Sequence, residues 1–108
     1  MQSFQMRDLI VESKQVGKSA REFLRVPAMS LSTYRLAAGA TDPQRPHTED
    51  EVYYVVRGRA RFRAGDENCA VEPGTVLFVE AGVEHRFHSI EEDLELLVVF
   101  APAEGTRA

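Results

Sequence analysis

The sequence predicts an all-β domain, a sandwich or closed barrel, and three features lead there. Beyond residue 30, short apolar runs recur about every ten residues, the rhythm of strands rather than of helices joined by loops. Between the runs lie AAGATDPQRP, AGD, PG, AGV and IEED, rich in the glycine, proline and acids that favour turns. No helical period continues past Pro27.

Taken in order, the first segment is the least regular. FQMRDLIVES reads as an edge strand, and KSAREFLRV as one or two turns of helix ended by Pro27. Strands are then expected at 30–37 (SLSTYRLA), 51–57 (EVYYVVR), 59–64 (RARFRA), 67–72 (ENCAVE), 75–80 (TVLFVE), 84–89 (EHRFHS) and 94–101 (LELLVVFA). The chain has 108 residues, too few for a second hydrophobic core. Residues 1–29 are read as an N-terminal arm supplying an edge strand and a dimer contact, and residues 30–108 as a single domain.

Composition narrows the partners. A net charge of -4 provides no overall positive field for nucleic acid or anionic lipid. MQSFQMRDLI lacks the features of a secretory signal, and no apolar run approaches the roughly 20 residues that span a bilayer, so a cytoplasmic protein is expected. Cys69 is the only cysteine, which rules out an internal disulfide or a multi-cysteine zinc site. Its place in the middle of ENCAVE suggests a small buried apolar residue.

Alternation identifies an anomaly. Glu51, Tyr53 and Val55 share one face of their strand and Val52, Tyr54 and Val56 the other, so both faces are apolar except for one carboxylate. Such a carboxylate needs an open strand end, a proton, a cation or a metal. In EHRFHS, His85, Phe87 and Ser89 share one side. If that side faces inward, the fold brings His85 beside Glu51 and the loop residue His47, giving two imidazoles and a carboxylate. This is a ligand set of non-haem iron and hydrolytic zinc sites, which leave positions open for water, oxygen or substrate. Glu49 still lies in the loop and Asp50 is one residue out of phase, so Glu51 is the favoured ligand, with its neighbours adding negative potential near the mouth. His88 should face away, and Arg59, Arg61 and Arg63 should form a solvated basic stripe paired with acids such as Glu72.

Here the chain resembles the cupin superfamily. The first cupin motif runs glycine, loop, His-x-His, three or four residues, glutamate, six residues, glycine; this chain has Gly39, His47, Glu51 and Gly58 at matching spacing. The second runs glycine, five residues, Pro-x-Gly, two residues, histidine, three residues, asparagine; the counterparts are Gly74, then Glu80-Ala81-Gly82, His85 and Ser89. The resemblance covers about residues 30 to 101. It departs from the pattern at Arg45, which replaces the first histidine and cannot ligate a metal, at Glu80 in place of proline and at Ser89 in place of asparagine.

The resemblance implies a jelly-roll barrel, a double-stranded β-helix, holding one divalent transition metal (iron, zinc, manganese or nickel) on His47, Glu51 and His85. Tyr53 and Phe87 would wall a substrate pocket, with Arg45 either turned into the cup to hold an anion or turned out to water. The function implied is a metal-dependent enzyme acting on a small molecule, with an oxygen-using dioxygenase first. The alternatives are a metal-dependent isomerase or lyase and a non-catalytic binding or sensor protein. A homodimer is expected, and no catalytic acid or base is assigned.

Overall fold

The computed structural model describes residues 1–107. In chain order the elements are helix α1 (Met6–Val16) and strands β1 (Ala20–Val26), β2 (Met29–Leu36), β3 (Asp50–Ala64), β4 (Glu67–Val71), β5 (Val76–Val79) and β6 (His85–Ala101). The strands pair antiparallel in the order β1-β2-β6-β3-β4, with β5 on β3. The fold is an all-β jelly roll.

Two long strands make it fold over on itself. β3 and β6, of 15 and 17 residues, pair along both halves of their length. One half carries β2 and β5, the other β4. Along β3 the buried positions are Glu51, Tyr53 and Val55 and then Ala60 and Phe62; along β6 they are His85 and Phe87 and then Ile90, Leu94, Leu96, Val98 and Phe100, with Glu95 buried on the opposite face beside Lys14 of α1. The inward set thus changes from odd to even numbers midway along both strands. Since side chains alternate strictly, such a change needs bulges, and the register shifts between Val55 and Arg61. Gly58, at φ 98°, lies in that region, and a Cβ there would run into the Asp93 carbonyl. Ser89, at φ 50°, is the corresponding kink on β6.

The expected breaks at residue 58 and through IEED are therefore not strand ends. The acids of IEED favour turns in isolation, but here Glu91, Glu92 and Asp93 are exposed on a continuing ladder, with Glu92 opposite Arg59. Tertiary pairing overrides local preference.

The N-terminal expectation is reversed. FQMRDLIVES carries a helix, because Leu9, Ile10 and Ser13 fall on one face and are buried, and Gly17 closes the helix in the left-handed conformation at φ 75°. Ala20–Val26 is the strand. Pro27 opens a two-residue turn that returns the chain into β2, with Val26 opposite Met29, instead of ending a helix. β1 forms one edge of the sheet. Cys69 is exposed, contrary to expectation, because β4 is the opposite edge strand and buries only Val71. Among the described residues, no helix is long and apolar enough to cross a membrane.

Candidate metal centre

The inner faces of the two sheet halves bring the sequence-predicted residues together. Glu51 enters from the start of β3 and His85 from the start of β6, with Glu51 2 % and His85 3 % exposed. His47 arrives on the loop after β2, its ring edge-on to Phe100 at 4.7 Å between centroids. His85 Nε2 lies 3.0 Å and His47 Nε2 4.0 Å from Glu51 Oε1, and one ligand atom from each residue falls within 4.8 Å of the others. Ligands held about 2.1 Å from a common ion stand at most about 4.2 Å apart, so a slight inward shift of the half-buried His47 suffices.

The donor chemistry fits a cation. His85 Nδ1 faces the Val83 carbonyl at 2.9 Å, which fixes the ring proton on Nδ1 in the neutral tautomer and turns the Nε2 lone pair toward Glu51. In that state lone pair faces lone pair, and Glu51 Oε1 is a buried oxygen without a hydrogen-bond donor. Either a proton on Nε2 or a metal resolves the conflict. Burial works to lower the His85 pKa, but the adjoining Glu51 carboxylate, which would accept a proton-bearing Nε2, and the Val83 carbonyl outweigh it and the pKa is raised.

Two further buried carboxylates hold the surroundings in place, Asp42, which sequence reasoning missed, and Glu49, whose bracing role it did not foresee. Asp42 accepts the Tyr34 hydroxyl at 2.6 Å, the Gln44 side-chain amide at 2.6 Å, Gln44 N at 3.3 Å and Phe87 N at 2.9 Å, which ties the His47 loop to β2 and β6. Glu49, expected near the mouth, is instead 2 % exposed and accepts Gly105 N and Arg107 N, each at 3.0 Å. It fastens the C-terminal segment over the site. That segment sets Glu104 Oε2 3.6 Å from His47 Nδ1. Burial, reinforced by the neighbouring carboxylates and opposed by His47, raises the Glu104 pKa. The spacing of Asp42 and Gln44 ahead of His47 carries no recognised pattern, and Glu104 follows the last strand, so nothing local in the sequence marks them.

A cavity of about 180 Å³ adjoins the centre, with Ala20, Val98 and Phe100 as apolar wall and His47, Glu51, Tyr53 and Glu104 among its polar groups. A hollow of about 300 Å³ between Arg63 and Arg86 is also bordered by His85, but neither Glu51 nor His47 lines it. Tyr53 borders this cavity, its hydroxyl 3.1 Å from His85 Nε2. Phe87 is buried behind Tyr53, at 5.1 Å between ring centroids, and is packing rather than wall. Arg45 is exposed and absent from the cavity lining, so of its two expected orientations the outward one is found. Asp50 accepts Ala81 N at 2.9 Å away from the centre. His88 contacts Asn68 and Ser89, and Arg59 pairs with Glu72 at 2.8 Å, both as expected.

The comparisons with known proteins agree with this fold. Residues 32–100 match the model of the cupin domain. An uncharacterized protein of Streptomyces coelicolor is 47 % identical over 105 residues, spanning 97 % of this chain and 100 % of that one. Among solved structures, TT1209 from Thermus thermophilus superposes with a TM-score of 0.74 at 26 % identity, over 95 % of this chain and 99 % of that one. The DMSP lyase DddQ from Ruegeria pomeroyi superposes with a TM-score of 0.66 at 22 % identity, over 70 % of this chain and 39 % of that one.

Proposed function

The chain belongs to the cupin family, and from that premise we propose that it is a cytoplasmic, metal-dependent enzyme acting on a small molecule in the cup, with oxygen-using dioxygenase chemistry as the leading form. The observation that carries this reading is the buried Glu51 Oε1, which lacks a hydrogen-bond donor and faces His85 Nε2 at 3.0 Å and His47 Nε2 at 4.0 Å. Glu51, His85 and His47 would hold one divalent transition metal. Bound there, iron(II) supplies oxygen activation, and zinc, manganese or nickel supplies Lewis-acid polarisation.

The chain's own residues do the rest. Val83 fixes the His85 tautomer through its carbonyl. Tyr53 borders the cavity with its hydroxyl beside His85, and burial together with the Glu51 charge raises its pKa well above the ordinary phenol, keeping the hydroxyl protonated. Phe100 packs on the His47 ring and helps exclude water. A homodimer is part of the reading; the sheet edge at β1 and the exposed Val26 and Met29 beside it support that.

Non-catalytic ligand binding is the second reading. Its support is Arg45, which takes the place of a fourth ligand and points to solvent. A lyase is the third form, with the fold-level likeness to the DMSP lyase behind it. Elemental analysis of protein purified without chelators or a metal-affinity tag tests the metal. About one equivalent of a transition metal is expected, and Glu51→Ala should lose it. Less than a tenth of an equivalent, with no thermal shift on adding iron, zinc, manganese or nickel, would sink the reading.

A further inference from the structure

In the wall of the cup both tyrosine hydroxyl protons and one N–H of the Gln44 amide are spent on neighbouring acceptors. Asp42 is a buried carboxylate and can only accept. The Tyr34 hydroxyl gives its proton to Asp42 Oδ1 at 2.6 Å. Gln44 must turn its NH2 toward Asp42 Oδ2, 2.6 Å away, because two acceptor oxygens would repel there. Its Oε1 therefore points the other way and takes the single proton of the Tyr53 hydroxyl at 2.6 Å. Asp42 thus sets the direction of the whole chain, and neither tyrosine bordering the cavity has a hydroxyl proton left to give.

The remaining polar groups have the same polarity. Glu51 Oε1 has no donor, and the Glu104 carboxylate stands at the wall. With Nε2 turned to Glu51, His47 directs Nδ1 toward Glu104 at 3.6 Å. The Ser32 hydroxyl is free to act either way and the second N–H of Gln44 is the remaining amide donor, and among the described residues no lysine or arginine lines the cavity. A dication held at the centre would already be balanced by Glu51 and Glu104.

We propose that the cup is an acceptor-lined pocket that selects small neutral ligands bringing their own donors, hydroxyl or amino compounds of about the size of one substituted ring, and that it rejects carboxylates and phosphates. The size follows from the cavity of about 180 Å³, since an apolar cavity of about 150 Å³ accommodates benzene. The selectivity follows from the cost of burying an acceptor against acceptors, and a charged acceptor most of all. The inference rests on the reading of the cup as the substrate site and deepens it.

The test is calorimetric titration of the full chain, metal-loaded and metal-free at pH 7.5, with phenol, aniline, anisole and benzoate. Phenol and aniline should bind at least about ten-fold tighter than anisole, with benzoate weakest, a contrast of the size expected when a donor is lost against a buried acceptor. In metal-loaded Gln44→Leu the Tyr53 proton is released to the cavity, so anisole should tighten at least about three-fold relative to phenol. A Gln44 that merely supports the wall would weaken all four probes alike. Anisole or benzoate binding as tightly as phenol, or none of the four binding at millimolar concentration, would overturn the proposal. Loss of metal uptake with the ranking intact in the metal-free protein sinks the metal reading alone, whereas metal uptake with the ranking inverted sinks this one alone.

Discussion

The two sides of the centre are built differently. Glu51 and His85 stand on strands, are almost completely buried, and meet across the sheet through backbone already fixed by pairing. His47 and Glu104 stand on a loop and a terminal segment, with side chains 23 % and 42 % exposed. The loop-borne side keeps its place only because Asp42 and Glu49, both buried, gather the backbone and side-chain donors around it. One half of the site is held by the fold, the other by two carboxylates. The strand-borne half should therefore set whether a cation binds, and the loop-borne half how tightly and what sits beside it.

The sharpest way to break this difference is Asp42→Ala. It strands the buried Tyr34 hydroxyl, the Gln44 amide and Phe87 N together, so a loss of about 3–5 kcal/mol in unfolding free energy is expected by denaturant titration. A loss under about 1 kcal/mol would show that the loop does not depend on Asp42. Glu51→Ala comes next. Metal at about 100 times its dissociation constant should stabilise the wild type by roughly 2.7 kcal/mol, and Glu51→Ala should abolish that gain, while His47→Ala should keep part of it. Equal losses in the two variants would erase the distinction between the sides. Glu49→Gln is smaller: it keeps the shape but weakens the charge-assisted bonds from Gly105 N and Arg107 N, at a cost of about 1–2 kcal/mol, and should speed proteolysis of the C-terminal segment.

The same division separates what the sequence reveals from what it hides. Strand-borne features were legible because alternation reports the face: Glu51 stood out as an acid among apolar neighbours, and His85 shared a side with Phe87. The parity change at Gly58 and Ser89 was hidden, because a bulge is a property of the pair of strands and IEED alone looks like a turn. Treating each long strand as two pieces still grouped Glu51 with Tyr53 and Val55, and His85 with Phe87, on faces that are buried, whereas Ser89, grouped with His85, is exposed at the kink. The helix at Met6–Val16 was misread since its buried stripe is only Leu9, Ile10 and Ser13, too short to be distinguished from a strand by period. Asp42, Gln44 and Glu104 were invisible for another reason. Polar loop residues acquire partners only when distant elements arrive, and Asp42 meets Phe87 across 45 positions.

The smallest effect expected is also the most diagnostic of the strand-borne side. With its pKa raised in the folded state, His85 contributes stability through the Glu51 pair that is fully present below about pH 6.5, the ordinary imidazole value, and is lost as pH rises through the higher folded value. That holds for the metal-free chain. Metal needs the neutral ring, so its affinity moves the opposite way, weakening as pH falls through the raised value. Metal-free and metal-loaded melting temperatures should therefore diverge as pH rises from 6 to 8, and His85→Gln should make the metal-free curve flatter. Equal gaps at every pH would mean that no proton is displaced from His85, and the pairing of Glu51 with His85 would have to be read as packing instead of half a coordination sphere.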